Sequence, residues 1–188
     1  MFATDDLSTE SVLERAHEYA NESDIETVVV ASTTGDTGAK AASVFETAAQ
    51  DLIVVGHSTG YREPNEQEFE TQYRESIEAA GGEVFIGPMV FSNVGSAIQE
   101  KDGFSNHELV ADLLRLFGQG TKVALEIVLM ACDAGLAPAE ERVLAVAGTG
   151  SGADTVLTVL SANSRDLFDA RILSVLGKPT DPENLFYW

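Results

Sequence analysis

Cysteine is nearly absent from the chain. Cys132 is the sole one in 188 residues, which excludes an internal disulfide framework and any metal site built on a cysteine cluster. It lies in an apolar helical pattern and reads as a small core side chain. No apolar run approaches the length that spans a bilayer. The opening residues, Met-Phe-Ala-Thr-Asp-Asp, have neither a basic segment nor an apolar one, so no secretory signal is expected and a cytoplasmic location is the default. Positive charge is also scarce. Eleven basic residues, four of them lysine, face 31 acidic ones for a net charge of −20. Such a surface repels nucleic acid and anionic membranes wherever salt leaves the field unscreened. The acids are dispersed rather than gathered in a tail, a pattern that resembles proteins of salt-in halophiles and bears on the host, not the function.

What is present is enough for one domain with a real core: 188 residues, 44% of them apolar. Val12, Leu13, Ala16, Tyr19 and Ala20 recur at helical spacing behind Ser8 or Thr9 as N-cap, which predicts a helix over about 9–21. Ile25–Ala31 is a β-branched run apolar on both faces, as in a central parallel strand. A helix is expected over about 37–48 and a second buried strand over Asp51–Gly56. An acidic helix over Glu66–Ala80 stops at Gly81–Gly82, and "EVFIG" follows as a third strand. The middle reads as helical: a short helix in "SNVGSAIQEKDG", a longer one capped by Ser105, and a buried one in "TKVALEIVLMACDAG". That last run is apolar enough for a strand, but Lys122 and Glu126 stand at i, i+4, and Gly135 and Pro138 provide stops. "RVLAVAG", "TVLTVLSA" and "DARILSV" complete the strands. Alternation of this kind predicts a three-layer α/β/α sandwich with a mostly parallel sheet and sites at the carboxyl ends of its strands.

Three strand ends carry polar, glycine-containing loops. In "VVVASTTGDTGAKAA" the strand ends near Ser32 and a helix begins near Asp36 or Thr37. The free amides of a helix start, with the hydroxyls of Ser32, Thr33, Thr34 and Thr37, can surround a phosphate. Gly35 and Gly38 permit close backbone approach, and Lys40 adds charge one turn in. The pattern is neither a Walker A loop nor the dinucleotide fingerprint, and a plain turn with Asp36 as N-cap explains it equally. "GTGSGADT" holds Gly148, Thr149, Gly150, Gly152, Ala153, Asp154 and Thr155, and has a plain reading as a glycine-rich hairpin. "GHSTGY" brings His57, Thr59 and Gly60 to the end of the second strand, whereas His17 and His107 read as surface or capping residues. Three such ends in one sheet point to one shared pocket. Glu126 and Asp133 read as helix-packing or solvated acids, and no carboxylate cluster for a metal stands out.

Taken together, "VVVASTTGDTGAKA", "GHSTGY", "LFGQGTKVALEIVLMACDAGL", "VLAVAGTGSGADTVLTV" and "LFDARILSVLGKP" resemble the archaeal stand-alone proteins related to the pyruvate kinase C-terminal α/β domain. The resemblance runs from about residue 8 to near the end. In full-length pyruvate kinases the loop equivalent to Ser32–Lys40 holds the phosphate of a sugar-phosphate effector. The stand-alone family looks like binders of flavin mononucleotide (FMN), and the resemblance implies that ligand here, on the three loops just described. Two departures stand out. The extended segment before the first helix is shortened to Met1–Leu7, and the turn lacks the Ser-Gly-Arg-Ser form of the effector loop, which weakens the case for a sugar bisphosphate.

Two function classes follow. One is a module that binds a phosphorylated small molecule such as FMN, as a carrier or sensor. The other is an FMN-dependent oxidoreductase with His57 or Asp154 as acid–base residue. Pyruvate kinase activity is not expected, because its catalytic barrel needs roughly 250 residues. A homo-oligomer is expected on general grounds.

Overall fold

In the computed structural model, which describes residues 1–45 and 50–185, the chain begins with β1 (Phe2–Ala3), α1 (Thr9–Glu22), β2 (Thr27–Ala31), α2 (Asp36–Val44) and β3 (Asp51–Gly56). It continues through α3 (Thr71–Ala79), β4 (Glu83–Ile86), α4 (Asn93–Asp102), α5 (Asn106–Arg115) and α6 (Gln119–Asp133). It ends with β5 (Arg142–Ala147), β6 (Thr155–Leu160) and β7 (Arg171–Lys178). The seven strands form one sheet in the order β1-β7-β6-β5-β2-β3-β4. β2 pairs in parallel with β3 and β5, β3 with β4, and β1 with β7. β6 is antiparallel to both of its neighbours, because the link from Ala147 to Thr155 is too short for a crossover and can only make a hairpin. The mostly parallel α/β sheet expected from the sequence is therefore the one observed.

Strand β2 shows why the layers form. Val28, Val29 and Val30 have no exposed surface, so the strand needs cover on both faces. Val28 and Val30 pack with Val12, Leu13 and Ala16 of α1, Ala41 of α2 and Ile77 of α3. Val29 packs on the other face with Ala124, Ile127 and Val128 of α6. Each valine taken fully out of water contributes about 1.5–3 kcal/mol. Helix α2 sits close because of Gly38, where a Cβ would come 2.5 Å from Val54 Cγ1. The apolar run 123–132 is the buried helix α6. Its Cys132 is a core residue with Sγ 3.4 Å from the Pro138 carbonyl oxygen, and burial pushes the thiol pKa up. Among the described residues no helix is long and apolar enough to cross a membrane.

Several boundaries shift by two or three residues, such as the start of β2 at Thr27 and the end of β7 at Lys178, and one shifts further. Helix α3 starts at Thr71, not Glu66. The residues before it make loop contacts instead: the Gln67 side-chain amide donates to Thr59 Oγ1 at 3.0 Å, and the Glu70 amide donates to the Thr34 carbonyl at 2.9 Å. For the second helix, expected over 37–48, the end at 46–48 lies outside the described residues. The short β1 was not expected from the sequence at all. Its Phe2 lies against Gly177, where a Cβ would come 2.3 Å from the ring.

Asp5 fastens this N-terminal segment. Its carboxylate accepts from the Asp181 amide at 2.9 Å, from the Thr180 amide and hydroxyl at 2.9 and 2.8 Å, and from Asn184 Nδ2 at 3.2 Å. These donors, the Asp181 amide foremost, hold its carboxyl well below the usual carboxylate range. A lowered folded-state pKa gives stability that is full above the unfolded value, about 3.9. It disappears as the pH falls through the folded one. Melting temperatures of the wild type and Asp5→Asn, measured from pH 7 to pH 2, should therefore differ most at neutral pH and converge in acid. A gap as wide at pH 2 as at pH 7 would contradict this role for Asp5.

Candidate functional site

The chain leaves β2 for α2 on one face of the sheet, and it enters β5, on the other side of β2, from α6 on the opposite face. This is the switch point at which doubly wound sheets leave a crevice beyond the strand ends. A cleft of about 490 Å³ opens there, within the size range of small-molecule pockets. All three loops singled out in the sequence reach it. Ser32, Thr33, Thr34, Asp36 and Thr37 line it from the first, Gly56 and His57 from the second, and Gly148, Gly150 and Gly152 from the third.

The turn after β2 is built from the strand outward. The Ser32 amide continues the ladder to the Val55 carbonyl at 2.9 Å, and Ser32 Oγ accepts from the Gly38 amide at 3.1 Å. Gly35, not Asp36, is the N-cap residue, with φ of 102°. A Cβ on Gly35 would meet Tyr73 Cβ at 2.6 Å and Phe69 at 2.8 Å. Glycine is therefore required here by packing against the α3 side, rather than by approach to a ligand. The amides of Thr33, Thr34, Asp36 and Thr37 have no acceptor among the described residues, and all four residues line the cleft. Lys40 does not line it. It lies 3.0 Å from Glu10 and 3.1 Å from Asp36, carboxylates that raise its pKa, so its charge is already matched.

The glycine loop is organised by Asp154. Its carboxylate accepts from the Thr149 amide at 2.7 Å and the Thr155 hydroxyl at 2.6 Å, while its own amide returns to the Ala147 carbonyl. The Ala153 amide donates to Thr9 Oγ1 at 3.1 Å. Thr149, Ala153, Asp154 and Thr155 thus hold the loop from behind, and its glycines face the cleft. A Cβ on Gly148 would fall 2.3 Å from the Gly152 carbonyl oxygen, so no side chain fits where the two limbs meet. In the second loop Thr59 accepts from Gln67, and the Gly60 amide donates to the Glu66 carbonyl. Both support the loop without lining the cleft. His57 Nδ1 lies 3.3 Å from Glu68, whose other oxygen is 3.1 Å from Arg62 Nε. The imidazole stacks at a tilt on Tyr61, 4.6 Å between centroids. Burial, then the carboxylates of Glu126 and Glu108, raise the Tyr61 pKa.

The floor comes from residues that sequence reasoning did not place in the site. Lys122 and Glu126 of α6 form an ion pair with each side chain about 3% exposed. Glu126 Oε1 accepts from the Phe91 amide at 2.7 Å, and Lys122 Nζ donates to Ser92 Oγ at 2.9 Å. Their i, i+4 spacing inside an apolar helix was the available signal. Asp133, read beside Glu126, instead accepts from the Ser164 amide at 2.9 Å, away from the cleft. Among the described residues no group of three or more histidines, cysteines or acids is placed to hold a metal. The arrangement suits binding: unmet donors at one helix start, a glycine loop opposite, and a floor of apolar side chains around one buried ion pair.

No protein-family model matches the chain. Among solved structures it is similar to a pyruvate kinase from Cryptosporidium parvum, with 13% identity and a TM-score of 0.44, covering 86% of this chain and 23% of that one. A Cryptosporidium parvum pyruvate kinase in complex with ADP is similar at 14% identity and a TM-score of 0.39, over 84% of this chain and 23% of that one. O-ureido-L-serine synthase is similar at 17% identity and a TM-score of 0.31, over 68% of this chain and 40% of that one. The chain thus spans less than a quarter of the length of the pyruvate kinases it matches. The α/β fold itself rests on the sheet order and layers described above.

Proposed function

We propose that the cleft binds a phosphorylated small molecule, with FMN as the leading candidate, and that the chain is an intracellular binding module without pyruvate kinase activity of its own. The observation that carries this reading is the set of amides at Thr33, Thr34, Asp36 and Thr37 that have no acceptor among the described residues, on cleft-lining residues where α2 begins. A phosphate dianion there accepts several charge-assisted hydrogen bonds, each contributing on the order of 1.5–3 kcal/mol. The remaining walls, among them Val55, Met89, Val123, Ile127 and Met130, suit a flat, largely apolar body such as a flavin ring. Dispersed acidity fits a host with molar internal salt, which screens the repulsion between a −20 protein and an anion.

An FMN-dependent oxidoreductase is the second reading. Its acid–base residue would be His57, which lines the cleft beside Glu68, rather than Asp154, whose carboxylate is occupied within its loop. Equilibrium titration with FMN tests the first reading. Thr37→Ala removes one hydroxyl and should weaken FMN about ten-fold, or roughly 1.4 kcal/mol, with the fold intact. No FMN binding by the wild type would refute it, whereas equal affinity in the variant would remove only the Thr37 hydroxyl from the phosphate's partners. Reduction of bound flavin by a nicotinamide cofactor would favour the oxidoreductase.

Self-association has a specific surface. On α4 and α5, Val94, Ile98, Leu109 and Leu113 are exposed large apolar residues, joined by Phe104 in the turn between the helices and by Leu116 and Phe117 just after α5. Leu109, Leu113 and the C-cap residue Leu116 recur at helical spacing. Clusters of exposed large apolar residues of this kind mark interaction surfaces. A second copy is the occupant proposed, because a two-fold interface sets the same stripe against itself. Light scattering should give a particle of twice the 20.0 kDa chain mass, and Leu113→Asp should return it to a monomer. A monomeric wild type would contradict this.

A further inference from the structure

We infer that Lys122 is a second recognition point in the cleft, separate from the start of α2, and that it takes a neutral acceptor such as a carbonyl, imide or ring nitrogen on the ligand's body. The inference rests on the cleft being a ligand site, as proposed above.

Burying two charges carries a large desolvation cost, and well-packed apolar side chains in place of such a pair are often as stable or more so. Stability therefore gives little reason for an ion pair inside α6, where the neighbours Val123, Ala124, Leu125 and Ile127 are buried or half-buried apolar residues. The pair also lines the cleft. Its hydrogen bonds are unequal. Glu126 is served at both oxygens, by Lys122 at one and by the Phe91 amide at the other. An ammonium carries three N–H donors. Lys122 directs one to Glu126 and one to Ser92 Oγ; the third has no nitrogen or oxygen acceptor among the described residues, the other group near Nζ being the Phe91 ring at 5.8 Å to its centroid, a weaker partner. A buried donor left unmatched costs about 1–3 kcal/mol, and a ligand atom in the cleft relieves that cost.

The charge of that atom follows from the pair. Glu126 already neutralises Lys122, so a second anion would leave one net negative charge buried in the floor of a −20 protein. A neutral acceptor takes the spare N–H without this. The cleft is thus matched to a monophosphate whose body is apolar and carries a carbonyl or ring-nitrogen acceptor, and mismatched to a bisphosphate. A flavin ring satisfies that description, and so does any comparable phosphorylated heterocycle.

Lys122→Met alone would strand the Glu126 carboxylate, so the variant to use is Lys122→Met/Glu126→Gln, in which the introduced carboxamide keeps an acceptor for the Phe91 amide. With folding confirmed by circular dichroism and a urea midpoint, FMN and inorganic phosphate are titrated into the wild type and the double variant. The expected result is at least a ten-fold loss of FMN affinity with phosphate affinity unchanged, because the two ends of the ligand are held independently. A sugar bisphosphate should compete with FMN no better than inorganic phosphate does. Unchanged FMN affinity in a folded double variant would overturn the role of Lys122 while leaving the cleft reading intact. Absence of FMN and phosphate binding in the wild type would overturn both. A double variant that does not fold would show that the pair is structural, and Ser92→Ala would then decide: it releases a second Lys122 donor to the cleft, so FMN affinity should rise, and an unchanged or lower affinity would count against the inference.

Discussion

The sheet is organised by a strand that cannot touch water on either side. Val28, Val29 and Val30 of β2 are fully buried, so helices must cover both faces, and consecutive crossovers must divide between them. The chain runs one way from β2, through α2 to β3 and through α3 to β4. It returns through α4, α5 and α6 to β5 on the other flank of β2. Connections that leave adjacent strand ends for opposite faces open a gap between them. The cleft, the start of α2 and the glycine loop after β5 all follow from that division. Apolar burial thus determines where the polar site stands, before any polar residue is considered.

Charge explains what kind of site it is. The cleft's basic residues are each tied to acids: Arg62 to Glu68, Arg115 to Glu108 and Asp112, and Lys122 to Glu126. Lys40, just outside, is tied to Glu10 and Asp36. In a protein of net charge −20, side-chain cations are consumed by local neutralisation and long-range attraction for an anion is absent. Donors that carry no formal charge remain, namely backbone amides at a helix start, strengthened by the helix dipole. A turn rich in small hydroxylated residues and glycine fits that requirement better than a cluster of arginines would. Its one acid, Asp36, is matched by Lys40 at 3.1 Å.

Much of this was legible in the sequence. β3 is found at its predicted limits, Asp51–Gly56, because a doubly buried strand writes a continuous apolar run. The three polar loops were legible because each interrupts such a run with glycine and hydroxyl residues. β1 was not, since two residues whose pairing depends on a strand at the far end of the chain leave no periodic trace. The start of α3 was misplaced because the side-chain contact of Gln67 and the backbone bond of Glu70 to the turn after β2 are tertiary. Lys122 and Glu126 were visible as two charges in an apolar helix. Their partners, Ser92 and the Phe91 amide, belong to the segment before α4, so their place in the cleft depended on topology. Gly35 was read as permitting close backbone approach to a ligand, yet its tight neighbours are Phe69 and Tyr73, which no local pattern announces.

The central claim is that a phosphate sits at the start of α2, held by amides rather than by cations. A crystal structure of the protein with FMN tests it most directly. The account predicts phosphoryl oxygens within hydrogen-bond distance of the amides between Thr33 and Thr37, with the glycine loop around the remainder of the ligand. A phosphate bound instead at Arg62 or Arg115, or a flavin seated outside the cleft, would contradict it.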